Sequence, residues 1–146
     1  VWNERYRQHK GLYADYQGTK GEVLEALGAI VQPMVDLGGQ AAELFEAYRR
    51  GTMPEESLVS ALQGMQPAVR KLYLQSGSIP IPPADCQDYE DACQELFAVI
   101  DNMFLFYSER GLEQWSSDTR EWLMQTEVGR FWDQLKRLEF EEDKLH

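Results

Sequence analysis

Apolar side chains recur along this chain at alternating intervals of three and four residues, the spacing that gathers them on one face of an α-helix. One run reads Val23, Leu27, Ile30, Met34, Leu37, Ala41, Phe45, Tyr48, and a second Leu58, Leu62, Met65, Val69, Leu72. A third reads Tyr89, Cys93, Leu96, Ile100, Met103, Tyr107, and a fourth Met124, Val128, Phe131, Leu135, Leu138. No stretch longer than a few residues alternates with period two. The pattern predicts an all-α fold and gives no support to strands.

Helix punctuation agrees with the periodicity. Thr19 stands three residues before Glu22, the spacing of a capping box, and Thr52 with Glu55 repeats it beside Pro54. Asp85 and Asp118 are candidate N-caps, and Gly18, Gly51, Gly77 and Gly111 fall where helices should stop. Helices are therefore expected over about 20–50, 54–75, 85–110 and 118–142. Pro33 and the Gly38-Gly39 pair interrupt the first, and Pro67 interrupts the second. Because the apolar stripe keeps its phase across both, bends are expected rather than ends. The resulting expectation is one domain over 1–146: a bundle of four main helices, two of them kinked, plus a short N-terminal helix over 1–18.

A chain of 146 residues has the size of one domain and can bury roughly two-thirds of its unfolded surface. No apolar run approaches the roughly 18 residues of a membrane span, and the charged first residues do not resemble a secretion signal. The opening residue, Val1, predicts that residues upstream have been removed.

Lys and Arg number 14 against 25 Asp and Glu, a net charge of −11. That field repels phosphate backbones and anionic lipid, so nucleic acid and charged membrane surfaces are disfavoured partners. It serves solubility, or a docking face for a basic partner. The first twenty residues run the other way: Arg5, Arg7, Lys10 and Lys20 outnumber Glu4 and Asp15. There Trp2, Tyr6, His9, Tyr13 and Tyr16 would form one aromatic stripe on a helix. Such a helix either packs on its own domain or docks on a neighbouring subunit or another protein. Residues 76–84, with Pro80, Pro82 and Pro83, read as a stiff strap between helices, or as an extended ligand for an aromatic groove.

Catalytic constellations are hard to assemble from these residues. The two histidines, His9 and His146, lie at opposite ends, and neither follows a Glu at the spacing of a di-metal bundle. Asp85, Asp88, Glu90, Asp91 and Glu95 lack the glycine and alternating ligands of a calcium loop and suit the first turn of a helix. Cys86 and Cys93, if on one helix, are roughly 10 Å apart, too far for a disulfide. Unpaired thiols favour a reducing compartment such as the cytoplasm. Cys93 falls on the apolar stripe, whereas Cys86 near a helix start could carry a reactive thiolate. Paired carboxylates are too plentiful here for any pair to stand out as an acid–base device. No phosphate-binding or dinucleotide glycine loop is present, and no cofactor or metal is expected.

What remains is apolar. Met103 to Tyr107 is hydrophobic on every side, which implies burial from several directions. Trp115, Trp122, Phe131, Trp132 and Phe140 load the last segment with rings, and Trp122 lies half a turn out of phase with Met124 and Val128. With Trp132 it defines a second face, which is either central in the domain or given to a partner. The expected function is a non-catalytic protein–protein interaction module (an adaptor, assembly subunit or accessory chaperone). Its contact residues would be Trp2, Tyr6, Tyr13, Tyr16, Trp122 and Trp132, and its partner another protein or a second copy of itself. The alternative is a carrier or sensor of a small apolar ligand, with Phe104, Tyr107 and Trp122 lining a pocket between the kinked helices.

Overall fold

The computed structural model describes residues 18–145. Their elements are α1 (Lys20–Arg49), α2 (Glu55–Ser76), a 3-10 turn (Ala84–Cys86), α3 (Gln87–Leu105), α4 (Glu109–Gln114) and α5 (Ser117–Lys144). The architecture is all-α, with four long helices, one short one and no strand among the described residues. The N-terminal helix expected over 1–18 lies, apart from Gly18, outside the described residues.

α1 begins where the capping box places it. Thr19 Oγ1 accepts from the Glu22 amide at 3.2 Å, and Glu22 Oε1 accepts from the Thr19 amide at 3.3 Å. The helix runs unbroken through Pro33, Gly38 and Gly39, and α2 runs through Pro67. The hydrophobic face is continuous on both sides of each proline, so its burial outweighs the lost backbone bond.

Three helix starts and one helix end differ from the expected ones. Pro54 stands at the N-cap of α2 with no side-chain cap; Thr52 donates to the Ala47 carbonyl at 2.8 Å, and Glu55 bonds elsewhere. Ser116, not Asp118, caps α5 by accepting from the Thr119 amide, and Cys86 rather than Asp85 occupies the cap position of α3. The third helix also stops early. Ser108 caps α4 through the Gly111 amide while donating to the Leu105 carbonyl at 2.7 Å, so the chain turns a corner at 106–108. Gly111 is thus inside α4 rather than at a helix end. A Cβ there would stand 2.4 Å from the carbonyl oxygens of Leu105 and Phe106.

α3 is the central helix, packing against α1, α2 and α5. Its buried set includes Cys93, Leu96, Phe97, Ile100, Met103 and Phe104, so the expected burial from several sides belongs to this helix. α1 and α3 run in the same direction, and α2 and α5 run against them, as cross-helix pairs show. Arg70 of α2 meets Asp101 of α3 at 2.9 Å, and the Gln63 side chain reaches the Tyr107 carbonyl at 3.1 Å. Arg137 of α5 pairs with Glu95 near the start of α3. The strap between α2 and α3 is a packed segment: Ile79 is buried in the core, and the Ile81 carbonyl accepts from the Gly18 amide at 2.9 Å.

α1 and α5 touch over only a short region, at Gly38. A Cβ on Gly38 would lie 2.5 Å from Phe131 Cε1 and 3.0 Å from Ile100 Cγ1. The missing side chain lets Phe131 wedge between α1 and α3. Beside this point a groove lies between the two helices.

Candidate functional site

α5 carries two faces. Arg120, Met124, Glu127, Phe131 and Leu138 are buried, the apolar ones against the core. Trp122 and Phe140 are 66% and 60% exposed. These two are eighteen residues, or five turns, apart and stand on the same outward side about 27 Å from each other. Gly129 lies between them on that side, with open space around the position of its missing Cβ. Trp132, 46% exposed, is about a quarter turn round, on the flank facing α1. Its ring meets Phe131 edge-on at 4.8 Å between centroids, so the exposed indole is anchored to a core ring.

Beside Trp132 runs the groove between α1 and α5. It has a volume of about 390 Å³ and is lined by Val35, Asp36, Gly39, Gln40, Glu43, Phe131, Trp132 and Leu135. A separate depression of about 230 Å³, lined by Gln40, Glu43, Leu44 and Ala47 of α1 alone, continues along that helix. From Val35 to Glu43 the groove follows α1 for about 12 Å. Beyond Ala47, Arg49 and Glu121 pair across the two helices at 3.7 Å. The groove's lining mixes the apolar Val35, Phe131, Trp132 and Leu135 with polar side chains, and its charged residues are two exposed carboxylates, Asp36 and Glu43. Gln32 donates to Asp36 at 2.9 Å, but neither carboxylate has an ion-pair partner among the described residues.

The residues expected to line a ligand pocket are not brought together in this way. Phe104 and Tyr107 are each 1% exposed within the packed core, while Trp122 projects outward. Tyr107 sits beneath a polar cluster at the α4 end of the bundle, where burial raises its phenol and nearby Tyr48 and Glu55 add to the effect. Trp115 of that end is half-buried, edge-on to Phe106 at 5.6 Å. Trp2, Tyr6, Tyr13 and Tyr16 lie outside the described residues.

The cluster itself is built on Glu55. Its carboxylate accepts from Ser117, from Arg120 Nη2 at 2.8 Å and from the Tyr48 hydroxyl at 3.3 Å. The Ser117 bond and then the Arg120 guanidinium hold this carboxyl below its usual range, against the opposing effect of burial. Arg120, itself buried, also donates to the Trp115 and Leu112 carbonyls. The cluster thereby ties α1, α2, α4 and α5 together, with Arg120 Nε left without a hydrogen-bond partner.

Reactive cysteine chemistry finds no support in the geometry. Both thiols are free and buried. Burial first, and then the Asp85 charge, pushes the Cys86 thiol up, opposite to the expected helix-start activation. The Cys93 thiol is raised by burial as well. Of the acidic stretch, Asp85 pairs with Lys20 at 3.7 Å, Glu95 pairs with Arg137, and Glu90 is buried. No three potential ligands among the described residues are gathered closely enough to share a metal ion. No helix of the described residues is long and apolar enough to cross a membrane.

No protein family, characterised protein or solved structure matches this chain.

The sequence puts Trp122 and Trp132 on a second face of α5 but leaves open whether that face is central in the domain or given to a partner. The structure exposes both rings and adds Asp36, Gln40 and Glu43, which the sequence does not single out. Their signal was the Gly38-Gly39 pair, read only as a kink. Gly38 admits Phe131, and Gly39 leaves the groove open beside it.

Proposed function

We propose that this chain is a non-catalytic protein–protein interaction module that works through the outer side of α5. The observation that carries this reading is the pairing of a fully occupied inner face with large exposed rings outside. Phe131 is buried, while Trp122, Trp132 and Phe140 of the same helix remain open to solvent. Aromatic rings with a polar edge are the side chains that contribute most where protein surfaces meet. Among the described residues, Glu55 and Arg120 are committed to structural bonds, and Cys86 and Cys93 are buried.

A photo-crosslinking residue placed at Gly129, where a side chain meets only open space, tests the reading inside cells. Discrete covalent adducts from this position, lost when Trp122→Ser and Phe140→Ser are combined with it, are the expected result. Light scattering on the purified chain distinguishes a second copy from another protein as the partner. A strict monomer that yields no adduct from this face contradicts the reading.

A further inference from the structure

The groove between α1 and α5 has a chemistry that the outward rings of α5 do not share. Its floor is Val35, Phe131 and Leu135, one wall is the Trp132 indole, and its rim on α1 carries Asp36 and Glu43. These two carboxylates are seven residues apart, so they stand two turns, about 10 Å, from each other along the same side of α1. Neither is neutralised by a cation among the described residues. At about 12 Å the groove has the length of just over two helical turns, and Gly39, with open space where its Cβ would stand, lines it.

We infer that this groove seats an amphipathic helix of a protein partner whose apolar stripe is flanked by lysine or arginine. Helix-in-groove recognition places apolar anchors at intervals of three and four residues on the floor. Two basic side chains spaced two turns apart then meet Asp36 and Glu43, which fixes the register of the incoming helix. Residues 18–145 of a second copy make a poor occupant, because acidic residues outnumber basic ones there and would bring like charge to the rim. The inference rests on the reading of the chain as an interaction module and names the partner's chemistry.

The probe is a fluorescently labelled synthetic helix of leucine and lysine, about three turns long, titrated into the full chain by anisotropy. A control helix carries glutamate in place of lysine. Binding of the lysine helix, with at least tenfold weaker binding of the glutamate helix, is expected. Asp36→Lys combined with Glu43→Lys should weaken the lysine helix about tenfold and strengthen the glutamate helix. Gly39→Leu should abolish both, because its side chain projects into the groove without meeting another atom near the Cβ. Circular dichroism and thermal melting check that each variant remains folded.

If lysine-helix binding is unchanged in Gly39→Leu but lost in Trp122→Ser with Phe140→Ser, the groove assignment falls while the interaction module stands. Tighter capture of a peptide of this chain's residues 1–17 at the same groove would assign it to the chain itself, and also overturns the inference. If neither helix binds while crosslinks still form at Gly129, the inference fails alone. Absence of crosslinks together with groove binding would retain the groove and reject α5's outer side as the working surface.

Discussion

The Cβ that Gly38 lacks would stand 2.5 Å from Cε1 of Phe131, so these two residues occupy complementary halves of one space between α1 and α5. The glycine next to it, Gly39, has nothing within 4 Å of the same position. Alanine at these adjacent sites should therefore act with opposite sign. Gly38→Ala overpacks the Phe131 and Ile100 contacts and should cost about 1–3 kcal/mol. Gly39→Ala meets no neighbour and removes the entropy cost of a helical glycine, and it should stabilise by about 0.5–1 kcal/mol. Urea unfolding of the two variants checks the pair. Equal destabilisation by both would contradict the close approach at Gly38.

The divergence of these two glycines shows where sequence periodicity stops being informative. The apolar stripe of α1 passes through Leu37 and Ala41, and the pattern predicted both the helix and its continuity past Pro33. Nothing local distinguishes Gly38 from Gly39, because the difference depends on a ring ninety-three residues away from the first of them. The same holds for capping. Thr19–Glu22 and Thr52–Glu55 have identical spacing, yet only the first pair forms a capping box. Glu55 is drawn instead to Arg120, whose charge sits in a buried setting and needs a carboxylate. Long-range electrostatics overrode a local preference. Helical phase sets Trp122 apart from the buried stripe of α5 but leaves open whether that second face is covered. The acidic rim of the groove is not legible at all, since Asp36 and Glu43 become neighbours of Trp132 only through the packing of α1 beside α5.

The bonds from Ser117, Arg120 and Tyr48 to Glu55 make part of the stability dependent on pH. The carboxyl is held below its ordinary value of 4.5 in the folded chain, so the stabilisation is fully present above that value. It is lost as pH falls through the lower folded-state pKa, when the folded carboxyl takes up its proton. Glu55→Gln should cost about 1–3 kcal/mol near neutral pH, because Arg120 is left buried beside a neutral amide. The difference between the two proteins should narrow below pH 4.5. Denaturant midpoints measured from neutral to acid pH report this convergence, and a gap that stays constant would remove Glu55 as its source.

Buried thiols are protected both by their raised pKa values and by their lack of access. Burial is the largest cause for Cys86 and for Cys93 alike. In the folded chain both should react with iodoacetamide at least about tenfold more slowly than in urea, with labelling governed by local opening. Mass spectrometry of the time course resolves the two sites. Rapid labelling of Cys86 at neutral pH in the folded state would restore the thiolate that its position at the start of α3 suggests.

The two faces of α5 can be separated by their response to truncation. Phe131 is fully buried and fills the space left by Gly38, so Phe131→Ala should cost about 3–5 kcal/mol by opening a cavity that α1 and α3 cannot fully collapse into. Trp122, despite its larger ring, is 66% exposed and should change stability by no more than about 0.5 kcal/mol when replaced by alanine. Trp132 lies between these extremes, since its ring leans edge-on against Phe131 at 4.8 Å while nearly half of the residue is exposed. Its truncation should cost about 0.5–1.5 kcal/mol, the range of an aromatic pair contact. Thermal unfolding of the three alanine variants gives the order Phe131, Trp132, Trp122. A large loss at Trp122 would mean that its indole belongs to the fold, and the outward rings of α5 would be reduced to Trp132 and Phe140.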